Sequence, residues 1–68
     1  MPSSVIRDFE YDPRRRELEI TFVSGKVYLY SDVPSDVFQA FVAAKSKGQF
    51  FNKYIRDCYA YGEVATSE

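Results

Sequence analysis

The chain has no histidine and no tryptophan, and only one cysteine, one methionine and three glycines. Without histidine, its own residues can build no Ser–His or Cys–His pair and no histidine metal site. The lone Cys58 cannot close an internal disulfide, which suits a reducing compartment. With no partner base, it reads as a small core residue rather than a nucleophile. No apolar run approaches the roughly 18–20 residues of a membrane span, and Met1-Pro2-Ser3-Ser4 has no signal-peptide pattern. A small cytoplasmic protein is expected. An excess of positive charge is also missing. The formal net charge is −1 and the isoelectric point is near 5.3, so the chain as a whole makes no electrostatic case for nucleic acid.

What the chain does have is Phe and Tyr, which make up 18% of its 68 residues and must fill much of the core. That length allows one domain at most. A core of that size leaves roughly 3–5 kcal/mol of net stability, which weighs against a strained active site. Asp8, Glu10, Glu17 and Glu19 take ordinary solvated strand positions. No catalytic residue, cofactor or metal ligand is therefore singled out, and an enzyme is not expected.

Alternation of period two marks the strands. Ser4 to Tyr11 sets Val5, Phe9 and Tyr11 in one phase, and Ile6-Arg7 breaks it, which predicts a twist or bulge there. Asp12-Pro13 is a turn signal, with Arg14, Arg15 and Arg16 at the loop tip. Glu17 to Val23 alternates again, and so does Lys26-Val27-Tyr28-Leu29-Tyr30. A two-residue hairpin at Ser24-Gly25 would set Ile20 beside Leu29 and Phe22 beside Val27, with Thr21 and Glu19 beside Tyr28 and Tyr30. Across the Pro13–Arg16 loop, Tyr11 would meet Leu18 and Phe9 would meet Ile20, at the cost of a Glu10–Glu19 pair.

Pro34 suits the first turn of a helix, and Val33, Val37, Ala40, Phe41 and Ala44 form its apolar stripe. Ser46-Lys47-Gly48-Gln49 has the spacing of a capping box and opens a second helix, with Phe51, Ile55 and Cys58 turned inward. Tyr59 to Gly62 would end it, leaving Glu63–Glu68 as a frayed tail. The expected fold is α+β: a three-stranded antiparallel β-meander followed by two short helices packed on one face. It forms a single domain over residues 3–61, with a tail over 62–68.

Three features point to binding. On the hairpin register above, Tyr28 and Tyr30 stand on the sheet face away from the helices, where exposed aromatics could stack bases. The plainer alternative, heavier on propensity alone, makes them cross-strand partners of Thr21 and Glu19, partly covered by Tyr59 and Tyr61. Residues 45–56 carry Lys45, Lys47, Lys53 and Arg56 and no acid, which is either a phosphate-facing surface or a solvated helix face. Ser46-Lys47-Gly48 could seat a phosphate at a helix start, or Gly48 could simply pack against the preceding helix.

In order and spacing, Ser3-Ser4-Val5-Ile6, Tyr11-Asp12-Pro13, Tyr28-Leu29-Tyr30, Val33-Pro34, Ser46 to Asn52 and Ile55-Arg56 resemble the KTSC domain. That short module occurs alone in bacterial proteins and at the C-terminus of some lysyl-tRNA synthetases. The resemblance covers roughly residues 3–61, with Asp57-Cys58 departing where a basic or neutral residue would stand. It implies the α+β fold and, through the synthetase association, RNA or tRNA binding. The candidate nucleic-acid-binding residues are Tyr28, Tyr30, Ser46, Lys47, Gly48, Asn52, Lys53 and Arg56. A protein-interaction or oligomerisation module, with Asn52 and the tyrosine-rich face as its contact patch, is the alternative.

Overall fold

A computed structural model of the chain describes residues 6–66. Ser3, Ser4 and Val5, read above as the start of the first strand, lie outside them, as do the last two residues of the expected tail.

The first strand, β1 (Ile6–Asp12), pairs antiparallel with β2 (Glu17–Phe22). Its register is the expected one: Tyr11 meets Leu18, Phe9 meets Ile20, and Glu10 meets Glu19. A register shift falls between Ile6 and Asp8, where the alternation breaks in the sequence. The Asp12 carboxylate accepts from the Arg14 and Arg15 amides at 2.9 and 3.3 Å, which forms the turn. Arg16 closes the loop in the left-handed region at φ 58°.

The next hairpin corrects the expected register. β3 (Lys26–Tyr30) sets Ile20 opposite Tyr28, Leu18 opposite Tyr30 and Glu19 opposite Leu29. The connection is a three-residue loop, Val23-Ser24-Gly25, rather than the two-residue Ser24-Gly25. Gly25 takes φ 95° and its amide donates to the Phe22 carbonyl at 2.9 Å, the arrangement in which a glycine absorbs an extra residue. One more loop residue slips the pairing by one and sends every β3 side chain to the other face.

Two further expectations are corrected. The stretch taken for a frayed tail contains a fourth strand, β4 (Tyr61–Thr66), which pairs antiparallel with β3 and sets Tyr61 opposite Tyr30. The sheet order is therefore β1-β2-β3-β4, one strand more than the expected meander. Cys58 is exposed rather than buried.

The helical layer consists of α1 (Ser35–Ala43), with Pro34 as its N-cap, and α2 (Lys47–Phe50), which runs on into a π-helical turn at Phe51–Ile55. The π turn is marked by the Arg56 amide donating to the Phe51 carbonyl at 2.8 Å. The extra residue per turn ends the helix soon after Ile55, so Cys58 falls in the following turn instead of one α-turn further along the buried stripe.

The helices cover the sheet face that carries Phe9, Tyr11, Leu18, Ile20, Tyr28 and Tyr30. The core cluster is Leu18, Ile20, Tyr30, Val33, Phe41, Phe51 and Ile55. Phe9 meets the rings of Phe38 and Phe41, and Tyr11 stacks on Phe38 at 4.5 Å while its hydroxyl donates to the Val33 carbonyl at 2.6 Å. Such ring pairs each add about 0.5–1.5 kcal/mol beyond area burial, a useful supplement in so short a chain. The opposite face carries Glu10, Asp12, Glu17, Glu19 and Leu29 around a shallow depression of about 190 Å³.

Candidate functional site: an aromatic cleft at the open end of the sheet

Because Tyr28 and Tyr30 turn toward the helices, neither forms the open stacking platform expected of them. Tyr30 is 1% exposed, and Tyr28 is half-buried against the core. Burial, reinforced by the neighbouring Tyr61 and Tyr28 hydroxyls, pushes the Tyr30 phenol up to about 12, with Arg56 pulling the other way. Its hydroxyl thus stays neutral across the physiological range.

The aromatic surface that does meet solvent comes from β4. Tyr61 is 54% exposed and lies nearly parallel to both neighbouring tyrosines, with centroids 5.4 Å from Tyr28 and 5.0 Å from Tyr30. Phe51, the first residue of the π turn, meets Tyr30 and Phe22 edge-on at 5.4 Å each. Between this ring cluster, the Val23–Gly25 loop and the π turn opens a cleft of about 510 Å³. Asn52 and Arg56 line its helical side, and Lys26 and Ser24 line its hairpin side. Within the π turn, the Arg56 Nη1 donates to Asn52 Oδ1 at 3.4 Å, a contact that steers the guanidinium along the cleft wall. Among the described residues that line it there is no carboxylate, although Asp57 follows Arg56 and Glu63 stands opposite Tyr28.

The fold thus brings four of the eight candidate residues together: Tyr28, Tyr30, Asn52 and Arg56. The other four stand elsewhere. The Ser46 hydroxyl caps the Gln49 amide at 3.3 Å, as the capping box predicts. The Lys47 ammonium donates to the Val42 and Ala44 carbonyls at 2.9 and 3.3 Å, so it closes the C-terminal end of α1 instead of waiting for a phosphate. Gly48 is buried at the junction of the two helices. Lys53 reaches over the Tyr54 ring at 5.5 Å, outside the cleft. Tyr61, Lys26, Phe22 and Phe51 were missed as site residues. Tyr61 could have been found only by reading Tyr61–Thr66 as a strand, and Lys26 only with the correct hairpin phase. Among the described residues, no cluster of acidic or thiol side chains could hold a metal ion, and no helix is long and apolar enough to cross a membrane.

Residues 2–61 match the KTSC domain family. The chain belongs to that family. Its C-terminal boundary falls at the first residue of β4, so the family match includes Tyr61 but not the rest of the strand. Among similar proteins is a lysine–tRNA ligase of Nostoc punctiforme, 40% identical over 62 residues. That alignment takes in 91% of this chain but only 11% of the ligase. A protein of Stutzerimonas stutzeri is 41% identical over 56 residues, covering 82% of this chain and 79% of its own. The crystal structure of a KTSC domain protein from Yersinia pestis superposes with a TM-score of 0.89 at 37% identity, over 96% of this chain and 92% of that one. The KTSC fold is therefore the whole of this structure, whereas in the ligases it corresponds to a small segment.

Proposed function

We propose that this KTSC domain is a small non-catalytic module that binds RNA through the cleft between Tyr61, the Val23–Gly25 loop and the π turn. The observation that carries this reading is the segregation of charge on a domain of net charge −1. Arg56 and Lys26 meet an aromatic wall in a cleft whose described lining holds no carboxylate, with Asp57 and Glu63 beside it, while Glu10, Asp12, Glu17 and Glu19 gather on the opposite face. Half-exposed tyrosine rings beside a guanidinium suit a base that has left its stack and the phosphate attached to it. The match to a segment of lysine–tRNA ligases supports the same direction. With so few cations the binding is weak and falls with salt. Fluorescence anisotropy of labelled single-stranded RNA and tRNA at low ionic strength tests it. Arg56→Ala and Tyr61→Ala should each weaken binding, and unchanged affinity in both variants would remove the cleft from the account.

A second reading, a protein-contact module, is favoured by β4, an edge strand on which Tyr61 and Val64 are both more than half exposed. Sedimentation at high protein concentration tests self-association through that edge, and a strict monomer argues against it.

A further inference from the structure

We infer that the cleft seats one unpaired nucleotide, its base against Tyr28 and Tyr61 and its phosphate met by Arg56 and Lys26. This rests on the RNA reading above and narrows it from RNA in general to a single exposed nucleotide.

Size is the first argument. A volume of about 510 Å³ lies in the range of pockets that enclose one small molecule, and the whole domain measures only 29 × 26 × 18 Å. The second is the polarity of the lining. Arg56 and Lys26 can only donate, and Asn52 turns its carbonyl oxygen to Arg56, which leaves its amide N–H groups for a ligand. A wall made of donors and aromatic rings fits a planar group that carries acceptors and negative charge, as a nucleotide does. The third is access. In a duplex the base faces are stacked on one another, so no ring can slide against Tyr61 unless the nucleotide is first unpaired. The fourth is the absence of a track leading away. Lys47 is committed to the end of α1, Lys53 covers Tyr54, and the far sheet face carries the carboxylates around its depression. Among the described residues, neither Lys47 nor Lys53 extends the cations of the cleft toward a longer strand.

The electrostatic footprint should therefore be about one phosphate, which for a single strand gives a slope of about −0.7 in log affinity against log salt. Loss of the Tyr61 ring should weaken binding about tenfold, within the span measured for base–aromatic stacking.

The test uses the full chain, labelled with nitrogen-15, titrated at low salt with adenosine 5′-monophosphate, adenosine, inorganic phosphate, a short oligoadenylate and a blunt RNA duplex. The nucleotide and the oligoadenylate should move the same resonances of Lys26, Asn52, Arg56 and Tyr61, and the duplex should leave them in place. Tyr61→Phe should keep the response, and Tyr61→Ala should reduce it with the remaining spectrum unchanged. If the oligoadenylate moves those resonances but the mononucleotide does not, or if the duplex binds equally well, the single-nucleotide inference falls and the RNA reading stands. If phosphate alone reproduces the nucleotide's shifts while adenosine gives none, the base-binding part falls. If no RNA or nucleotide moves them, both fall together.

Discussion

Removing one hydroxyl, by Tyr30→Phe, should change how the stability of the domain depends on pH. Tyr30 belongs to the buried core, and its phenol is raised from about 10 to about 12, chiefly by burial. Below pH 10 the group is protonated in both folded and unfolded chains and contributes no pH dependence. Between pH 10 and 12 the unfolded chain loses its proton while the folded chain keeps it, so stability falls as pH rises through that window. Two pKa units correspond to at most about 2.7 kcal/mol, a large share of what a core of this size supplies. For a domain of this length that is a drop of about 10–20 °C in melting temperature. The quantity to follow is the difference between wild type and Tyr30→Phe, in which everything the two chains share cancels. Urea denaturation monitored by far-ultraviolet circular dichroism from pH 8 to pH 11.5 measures it. The difference should be small and level up to about pH 10, then shift steadily in favour of the variant. A difference that stays level across the whole range would mean that the Tyr30 ring is not desolvated and that β3 does not face the helices.

Three other substitutions or probes bear on separate parts of the structure. Lys47→Ala should lower stability by about 1 kcal/mol, because two carbonyls at the end of α1 lose a charged donor, and it should leave RNA affinity unchanged. An equal loss of affinity would restore Lys47 to the binding surface. Gly25→Ala should cost about 1–2 kcal/mol in thermal melts, since φ 95° is strained for any residue with a Cβ; an unchanged melting temperature would mean that Gly25 does not hold this left-handed conformation. The Cys58 thiol, exposed in the turn after Ile55, should react with a chromogenic disulfide reagent in the native state about as fast as in urea. Strong protection in the native protein would return it to the core.

Much of this architecture was legible in the residues, and the failures have local causes. The β1–β2 register could be read because Asp12-Pro13 fixes the turn and the apolar phases on either side leave one good match. The Ser46 cap and the inward Phe51 and Ile55 were equally plain, since spacing alone specifies them. The hairpin misled because matching Ile20 to Leu29 and Phe22 to Val27 looked better than matching Ile20 to Tyr28. The actual fold spends the aromatic volume of Tyr28 and Tyr30 on the core side, and the loop geometry at Gly25 decides the phase. That one-residue slip overturned the exposed platform and at the same time created the cleft, by turning both tyrosines toward Asn52 and Arg56. The π turn had no signature in the residues, because it is a backbone bonding pattern, of which the Arg56 amide to Phe51 carbonyl bond is one part, and no side chain marks it. β4 was obscured by its composition. A glycine and a glutamate follow Tyr61, and the strand's stability comes from pairing with β3 rather than from propensity.

An isotope-filtered NOESY spectrum of the labelled domain with unlabelled single-stranded RNA tests the binding account most directly. Contacts from base protons to the Tyr61 and Tyr28 rings, together with contacts from ribose protons to the Arg56 side chain, are the predicted result. Intermolecular contacts confined to α1 or to the Arg14–Arg16 loop would contradict it.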